Sequence, residues 1–446
     1  METFIEKTTS GNPDFDLKLS SVDFSDEINP KNRLDGSSFT VGWLLESLRN
    51  NDQEFQKLHG FRKVKKVESK NISSGKGWVS RVIRCRIFFS DSVDENDYYS
   101  TVMKIPGIDA IKDSDKKIKN RDTEENKTIL KFSKIHHFEC LFYSTLGPKL
   151  DIPLPKIHKT HPWIPFEKEG CLHMEDLSQK SKNFGFFDCI NMDKIKEIIK
   201  HLAHFHKQIL TMNPEIWKGK FKKNRNGFDV IPKIFLDGLE KFKELAKFDR
   251  EIVHLLEKYK KIGTNEEFLD FAENKSFEEI GIPPLLVHGD LWSSNIMFQI
   301  KEDNTVGNNI TAFLDWQMVH EGSIMEDVSR MLVHCCDGEI RRQAESFIFE
   351  YYYGILKEDL ANDNVEIPFT LEQVKKSYEI MFITQLIHPA FMVIILEANM
   401  DNSDEEQKKQ NLKLIEKGIL KALQTLQDVD LLLSKKYKYL FEKYGS

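Results

Sequence analysis

Several kinds of protein are excluded by what this chain has little of. Its six cysteines, Cys85, Cys140, Cys171, Cys189, Cys335 and Cys336, are scattered over 446 residues. They show neither the density of a disulfide scaffold nor a CxxC pair spaced for a metal, and they read as reduced, mostly packed thiols. No run approaches the ~20 apolar residues that span a bilayer; the nearest, Phe391 to Leu396, lies inside a mixed helical pattern. The opening METFIEKTTSGNP has no basic segment followed by an apolar one, so a cytoplasmic location is expected. Without a secretory route the sequons at Asn71 and Asn126 carry no meaning. Positive charge is not in excess either: the net charge is −7 and the pI about 6.1. Lysine-rich stretches at Lys116 to Arg121 and Lys218 to Arg225 lie among acidic residues. A general nucleic-acid binder needs a concentrated basic array, so that class is excluded. There is no internal repeat and no low-complexity tract.

What is present is a folded chain. Hydrophobic residues at 40%, charged residues at 30% and 32 phenylalanines are a globular composition. The length calls for two large lobes or two to three domains. Residues 1–40 are Ser-, Asp-, Asn- and Lys-rich and are expected to form a loosely held leader. A helix is expected near Val41 to Leu48, then an antiparallel meander of three alternating strands between Phe61 and Ile105. A helix around Leu130 to Phe142 and a short strand at Gly170 to Met174 follow. The rest reads as mainly helical: Met192 to Leu210, Gly238 to Lys260, Asn265 to Asn274, Gly338 to Leu356, Leu371 to Met400 and Asp404 to Tyr444. In the first of these, Ile195, Ile198, Ile199, Leu202, Phe205 and Ile209 fall on one face at 100° per residue and predict a core-facing stripe. A β interruption from Leu285 to Trp316 breaks the helical series. The division implied is an N-terminal lobe, residues 41–173, and a helical C-terminal lobe, residues 174–446.

That interruption carries the chemistry. In LLVHGDLWSSNIMF, an apolar strand enters, a polar loop presents His288, Asp290 and Asn295, and a second apolar strand leaves. Phosphoryl transfer to a hydroxyl needs a carboxylate near the acceptor proton, and a nearby amide oxygen is able to ligate magnesium. Ile296 to Ile300, a turn through EDNTVGNN, and Ile310 to Leu314 predict a hairpin that returns Asp315 beside Asn295. Two oxygen ligands at adjacent strand ends are how magnesium is usually held in a nucleotide site.

HGDLWSSNI followed by FLDWQ resembles the catalytic loop and metal aspartate of the choline kinase and aminoglycoside phosphotransferase superfamily. With Trp292 inside the loop, Gln317 after the DW and EDVSRML beyond, the chain is similar to the ecdysteroid-kinase-like, or CHK kinase-like, group found in nematodes and insects. The resemblance runs from about Gly60 to Leu432. It implies an α+β, bilobal protein-kinase-like fold and the cofactors ATP and Mg2+. It also implies a phosphate-approaching turn at Ser74, Gly75, Gly77 and Val79, with Val102 and the phosphate lysine Lys104 on a following strand. Glu139 is implied as the partner of Lys104, and Met174, Glu175, Asp176 and Leu177 as the hinge holding the adenine edge. Asp290 and His288 are implied as catalytic, Asn295 and Asp315 as metal ligands, and Asp327 as a support of the loop. For His288, orienting the loop through hydrogen bonds and contacting a phosphate are both open.

Rival motifs are weak. His201, His204 and His206 do not share one face of a regular helix, and His206 reads as a core histidine. The adjacent His334, Cys335 and Cys336 face different ways, and there is no GxSxG or HExxH. Against a protein kinase, HGD stands for HRD, DWQ for DFG, and no APE motif follows. The expectation is a phosphotransferase acting on a hydroxyl of a small, lipophilic molecule; the alternative is a nucleotide-binding pseudokinase or regulatory protein. Phe347, Phe349, Tyr351, Tyr352, Tyr353, Phe382, Phe391 and Met392 are the expected source of the acceptor pocket.

Overall fold

Two side-chain caps start the first helices. Thr40 accepts from the Trp43 backbone N–H to begin α1 (Val41–Asn51), and Asp52 accepts from Glu54 to begin α2 (Gln53–His59). The computed structural model describes residues 26–73, 80–107, 124–222, 230–400 and 404–445. Two compact units divide the chain: residues 1–68 with 86–99, and residues 69–85 with 100–446. In the first unit the expected loose leader is already tied down from residue 26. Asp26 takes both terminal nitrogens of Arg49 at 2.9 and 3.0 Å, and Leu34 and Phe39 are buried. Two isolated apolar residues set no period, so pattern reading passes over them. Phe55, His59, Phe89 and Tyr99 cluster in this unit, with the His59 and Phe89 rings stacked at 4.9 Å. Arg62 locks it from the rim through Asp91 and Asp97 at 2.8 and 2.7 Å.

The meander appears as β1 (Val64–Asn71), β2 (Ser80–Phe89) and β3 (Tyr98–Pro106). After α3 (Glu124–Leu141), strands β4 (Ile157–His161) and β5 (Cys171–Glu175) complete a sheet in the order β1-β2-β3-β5-β4. β3 and β5 are antiparallel, with Val102 opposite Met174 and Lys104 opposite Leu172.

Beyond β6 (Ser181–Lys182), the second unit is mainly helical. All six residues of the expected stripe on α4 (Met192–Thr211) are buried. At about 1.5–3 kcal/mol for each large apolar side chain removed from water, this stripe is a major reason the helix docks. Four expected long helices are each broken in two. Asp249, accepting from Glu251 and Ile252, separates α5 (Val230–Leu245) from α6 (Arg250–Gly263). After α7 (Glu266–Asn274) and α8 (Ser276–Ile280), the β interruption contains β7 (Leu285–Val287), β8 (Ile296–Ile300), β9 (Val306–Phe313) and β10 (His320–Gly322). Then come α9 (Glu326–Cys335), α10 (Gly338–Glu345) and α11 (Ile348–Asn362). They are followed by α12 (Leu371–Thr384), α13 (His388–Ala398), α14 (Glu405–Ser434) and α15 (Lys438–Tyr444). Pro389 lies in the first turn of α13, where its missing N–H costs nothing, and there one expected helix becomes two. No single described helix is long and apolar enough to cross a membrane. An antiparallel sheet followed by a mainly helical region is the α+β order of a kinase-like fold.

Candidate active site

β7 is fully buried and delivers the chain into the HGD loop. Gly289 has φ +78°, and a Cβ there would meet the Met318 carbonyl oxygen at 2.4 Å. Only glycine fits this turn. Asp327, on the first turn of α9, accepts from the backbone N–H groups of His288 and Gly289 at 2.7 and 2.9 Å. Burial and the neighbouring Glu326 raise its pKa to about 7, against the pull of these two bonds.

His288 makes the hydrogen bonds of one of the two roles left open for it. Its ring is buried and both nitrogens are used: Nε2–H donates to the Leu314 carbonyl at 2.7 Å, and Nδ1 accepts from Asp290 N–H at 3.3 Å. Burial lowers its pKa to about 4, so it is neutral. These bonds position the loop.

The hairpin closes as expected, with a shorter turn. β9 begins at Val306, so Val306 to Asn309 are strand where turn was expected, and Lys301 to Thr305 form the reversal. Ile296 pairs with Phe313, and Leu314 N–H donates to the Asn295 carbonyl at 2.8 Å. Asp315 follows in the left-handed region at φ 65°, a conformation that aspartate tolerates better than most residues. Trp316 anchors the turn: it stacks on Phe142 at 4.1 Å, lies 4.7 Å from the His288 ring, and donates to the Phe313 carbonyl.

Lys104 Nζ lies 2.8 Å from both carboxylate oxygens of Glu139 on α3 and also bonds Asp315. Burial alone would lower the lysine's pKa, but Asp315 and Glu139 outweigh it and the net shift is upward. Glu139 is raised to about 7, by burial first and by the second carboxylate, Asp315, against the lysine's pull. One cation thus sits between two carboxylates. The Asn295 amide is fixed by donating Nδ2–H to the Asp290 carbonyl at 2.9 Å, which leaves its oxygen for another group.

Asp290 has a partner that the motif did not supply. Arg330 donates Nε–H to Asp290 Oδ1 at 2.9 Å, with Nη2 at 2.8 Å from the same oxygen. Burial raises the Asp290 pKa and Arg330 works against it. One signal was available: Arg330 stands three residues after Asp327, hence on the same helix face.

Ser74, Gly75, Gly77 and Val79 lie outside the described residues. Val102 is buried in β3. At the expected hinge, the Met174 carbonyl accepts from Thr101, and the Asp176 carboxylate is held by Arg84 at 2.8 Å and Ser100 at 2.6 Å. Leu177 is buried and Glu175 pairs with Lys180 at 3.0 Å. Of the aromatic residues expected around the acceptor, Phe349, Tyr352, Phe382 and Phe391 are buried in the core. His201, His204 and His206 bond separately to Glu197, Asp359 and Tyr352. Among the described residues no three His, Cys, Asp or Glu side chains converge to hold a metal.

Residues 56–433 match the family model DUF1679, described as "Uncharacterized oxidoreductase dhs-27". The protein of that name from Caenorhabditis elegans is 26% identical over 404 residues, covering 89% of this chain but only 46% of its own length. This chain therefore spans about half of that relative. An uncharacterized kinase-like protein of the same organism is 28% identical over 290 residues, 63% of this chain and 70% of that one. Among solved structures, choline kinase from Cryptosporidium parvum is similar at TM-score 0.45 and 14% identity, covering 89% of this chain and 99% of that one. A GDP complex of aminoglycoside 2'-phosphotransferase-IIIa is similar at TM-score 0.38 and 14% identity, covering 82% and 96%.

Proposed function

The chain belongs to the DUF1679 family, and from its site we propose an ATP- and magnesium-dependent phosphotransferase acting on a hydroxyl group of a small molecule. The observation that carries this reading is the Lys104 ammonium held between Glu139 and Asp315, one strand end from the Asn295 amide and the Asp290 carboxylate. The donor set suits magnesium: Asp315 and the oriented Asn295 oxygen are hard ligands, and phosphate oxygens and water would fill the remaining positions. Bound Mg-ATP would supply the phosphoryl group and neutralise its charge. Lys104, kept in place by Glu139, would bind the phosphates. The segment that carries Gly75 and Gly77 would approach them, and the backbone of Met174 to Leu177 would bind the adenine edge. Asp290 would orient the acceptor hydroxyl and take its proton, on a loop that His288 and Asp327 hold still.

The word oxidoreductase in the relative's name belongs to a protein only partly covered by this chain, which contains no GxGxxG dinucleotide fingerprint. The test is thermal. Ligand at a hundred times its Kd stabilises a protein by about 2.7 kcal/mol, so millimolar Mg-ATP should raise the melting temperature. Asp315→Ala should abolish the metal-dependent part of that rise. No shift with nucleotide and either magnesium or manganese would end the reading.

A further inference from the structure

Asp290 meets different chemistry on its two sides. Oδ2 accepts from the Asn295 amide N–H at 3.4 Å, whereas Oδ1 faces Arg330 on α9. Next to Arg330 stands His388, the first residue of α13, with Nδ1 3.3 Å from Arg330 Nη1. A guanidinium has only donors, so His388 Nδ1 accepts and the imidazole proton sits on Nε2. Among the described residues nothing accepts from that N–H.

One turn beyond Arg330 on the same helix is His334. Its ring lies 5.7 Å from the His388 ring and 6.2 Å from Trp292 of the HGD loop. His334 is 2% exposed, yet neither ring nitrogen has a partner. Gln385, just before α13, likewise buries an unpartnered Oε1. Burial holds both imidazoles neutral, with pKa values well below the usual histidine range. Buried polar atoms without partners destabilise a fold, and those of His334, next to the histidine that contacts the arginine holding Asp290, are explained by a ligand that pairs with them.

Resting on the phosphotransferase reading, we propose that Arg330, His334 and His388 form the acceptor subsite. It takes an uncharged compound with several hydroxyl groups, a second oxygen of which accepts from His388 Nε2–H, and it rejects acceptors that carry an ammonium group. A cation there would face the Arg330 guanidinium and two imidazoles that lack negative charge, while the Asp290 carboxylate is already matched by Arg330. In the transfer, the reacting hydroxyl oxygen bonds to the γ-phosphorus as the bond from that phosphorus to the β–γ bridging oxygen breaks. The hydroxyl proton passes to Asp290, and ADP leaves.

Matched probes test this on the full chain with Mg-ATP: glucose against glucosamine, glycerol against serinol, and myo-inositol against an amino-inositol. ADP release and phosphorylated product are measured against the acceptor-free hydrolysis rate, because a molecule that occupies the subsite either accepts the phosphoryl group or displaces the hydrolytic water. At least one hydroxyl member should act, with its amino counterpart weaker by about tenfold or more. His388→Phe should weaken the active member by about tenfold, while His388→Gln, which returns an N–H near Nε2, should stay within about threefold of the parent. Should His388→Phe fail to fold, His388→Asn replaces it, since the shorter side chain does not reach that position. An amino member equal to or better than its hydroxyl partner overturns the proposal. So does silence of every probe in a protein that hydrolyses Mg-ATP, or an unchanged His388→Phe whose Mg-ATP thermal shift is intact. Failure to bind or hydrolyse Mg-ATP at all instead overturns the phosphotransferase reading.

Discussion

Asp315 and Gly289 are both held at positive φ, at 65° and 78°, Gly289 inside the HGD loop and Asp315 at the end of the hairpin that follows it. Such backbone persists only where its surroundings over-determine it. Gly289→Ala should cost about 1–3 kcal/mol from backbone strain alone, and more once the added methyl meets the Met318 carbonyl. Urea unfolding would show it, and an unchanged midpoint would mean that the turn relaxes freely. Asp327→Ala should be comparably costly, at about 2–4 kcal/mol, because it strands two buried N–H groups. At this scale much of the site was legible: Asp290, Asn295 and Asp315 sit on one loop and hairpin, so local spacing announces their proximity. Arg330 was not, because its target lies 40 residues away. Its i, i+3 relation to Asp327 shows which face it occupies, but periodicity names no partner across the fold. His288 was legible as a residue of the loop, with orientation through hydrogen bonds one of the two roles open for it, and the structure supplies those bonds.

The helices follow the same division between local and distant causes. The stripe on α4 could be read from its period, because 3.6-residue spacing is local. The breaks at Asp249 and Pro389 were also written locally, as a capping aspartate and a first-turn proline, but continuous apolar periodicity hid them. What joins the elements could not be read at all. Lys421 on α14 is buried and donates to three backbone carbonyls, Phe186, Asp188 and His334, at 2.6, 3.2 and 3.0 Å. Burial lowers its pKa, yet three acceptors reward the charged form. Lys421→Met keeps the length and removes the donors, so stability should fall by about 3 kcal/mol. A methionine variant as stable as the parent would show that water satisfies those carbonyls instead.

Across the whole molecule, buried titratable groups set a direction for pH dependence. Burial lowers His136 and His288 to about 4 and His206 to about 3, and holds His334 and His388 well below the usual histidine range. A histidine whose folded pKa lies below its unfolded value of about 6.5 takes up its proton on unfolding. Each then removes up to about 1.4 kcal/mol of stability per pH unit as pH falls below 6.5. Glu139 and Asp327, raised to about 7 by burial, act oppositely, gaining stability as pH falls through about 7 toward 4, and Asp290 is raised in the same direction. Five histidines outweigh three carboxylates, so the melting temperature should be lower at pH 5 than at pH 7. Equal or higher stability at pH 5 would contradict these burials.

The central claim is that the HGD loop performs phosphoryl transfer through Asp290, and the substitution Asp290→Asn separates binding from chemistry most directly. The amide keeps the size and much of the hydrogen bonding, so Mg-ATP affinity by calorimetry should change little. A well-placed base or orienting carboxylate is worth roughly 10² to 10⁴ in rate, about 3–5 kcal/mol. Mg-ATP turnover, measured as ADP release with and without acceptor, should therefore fall by at least about a hundredfold. A folded Asp290→Asn protein that binds Mg-ATP and turns it over at nearly the parental rate would contradict the account.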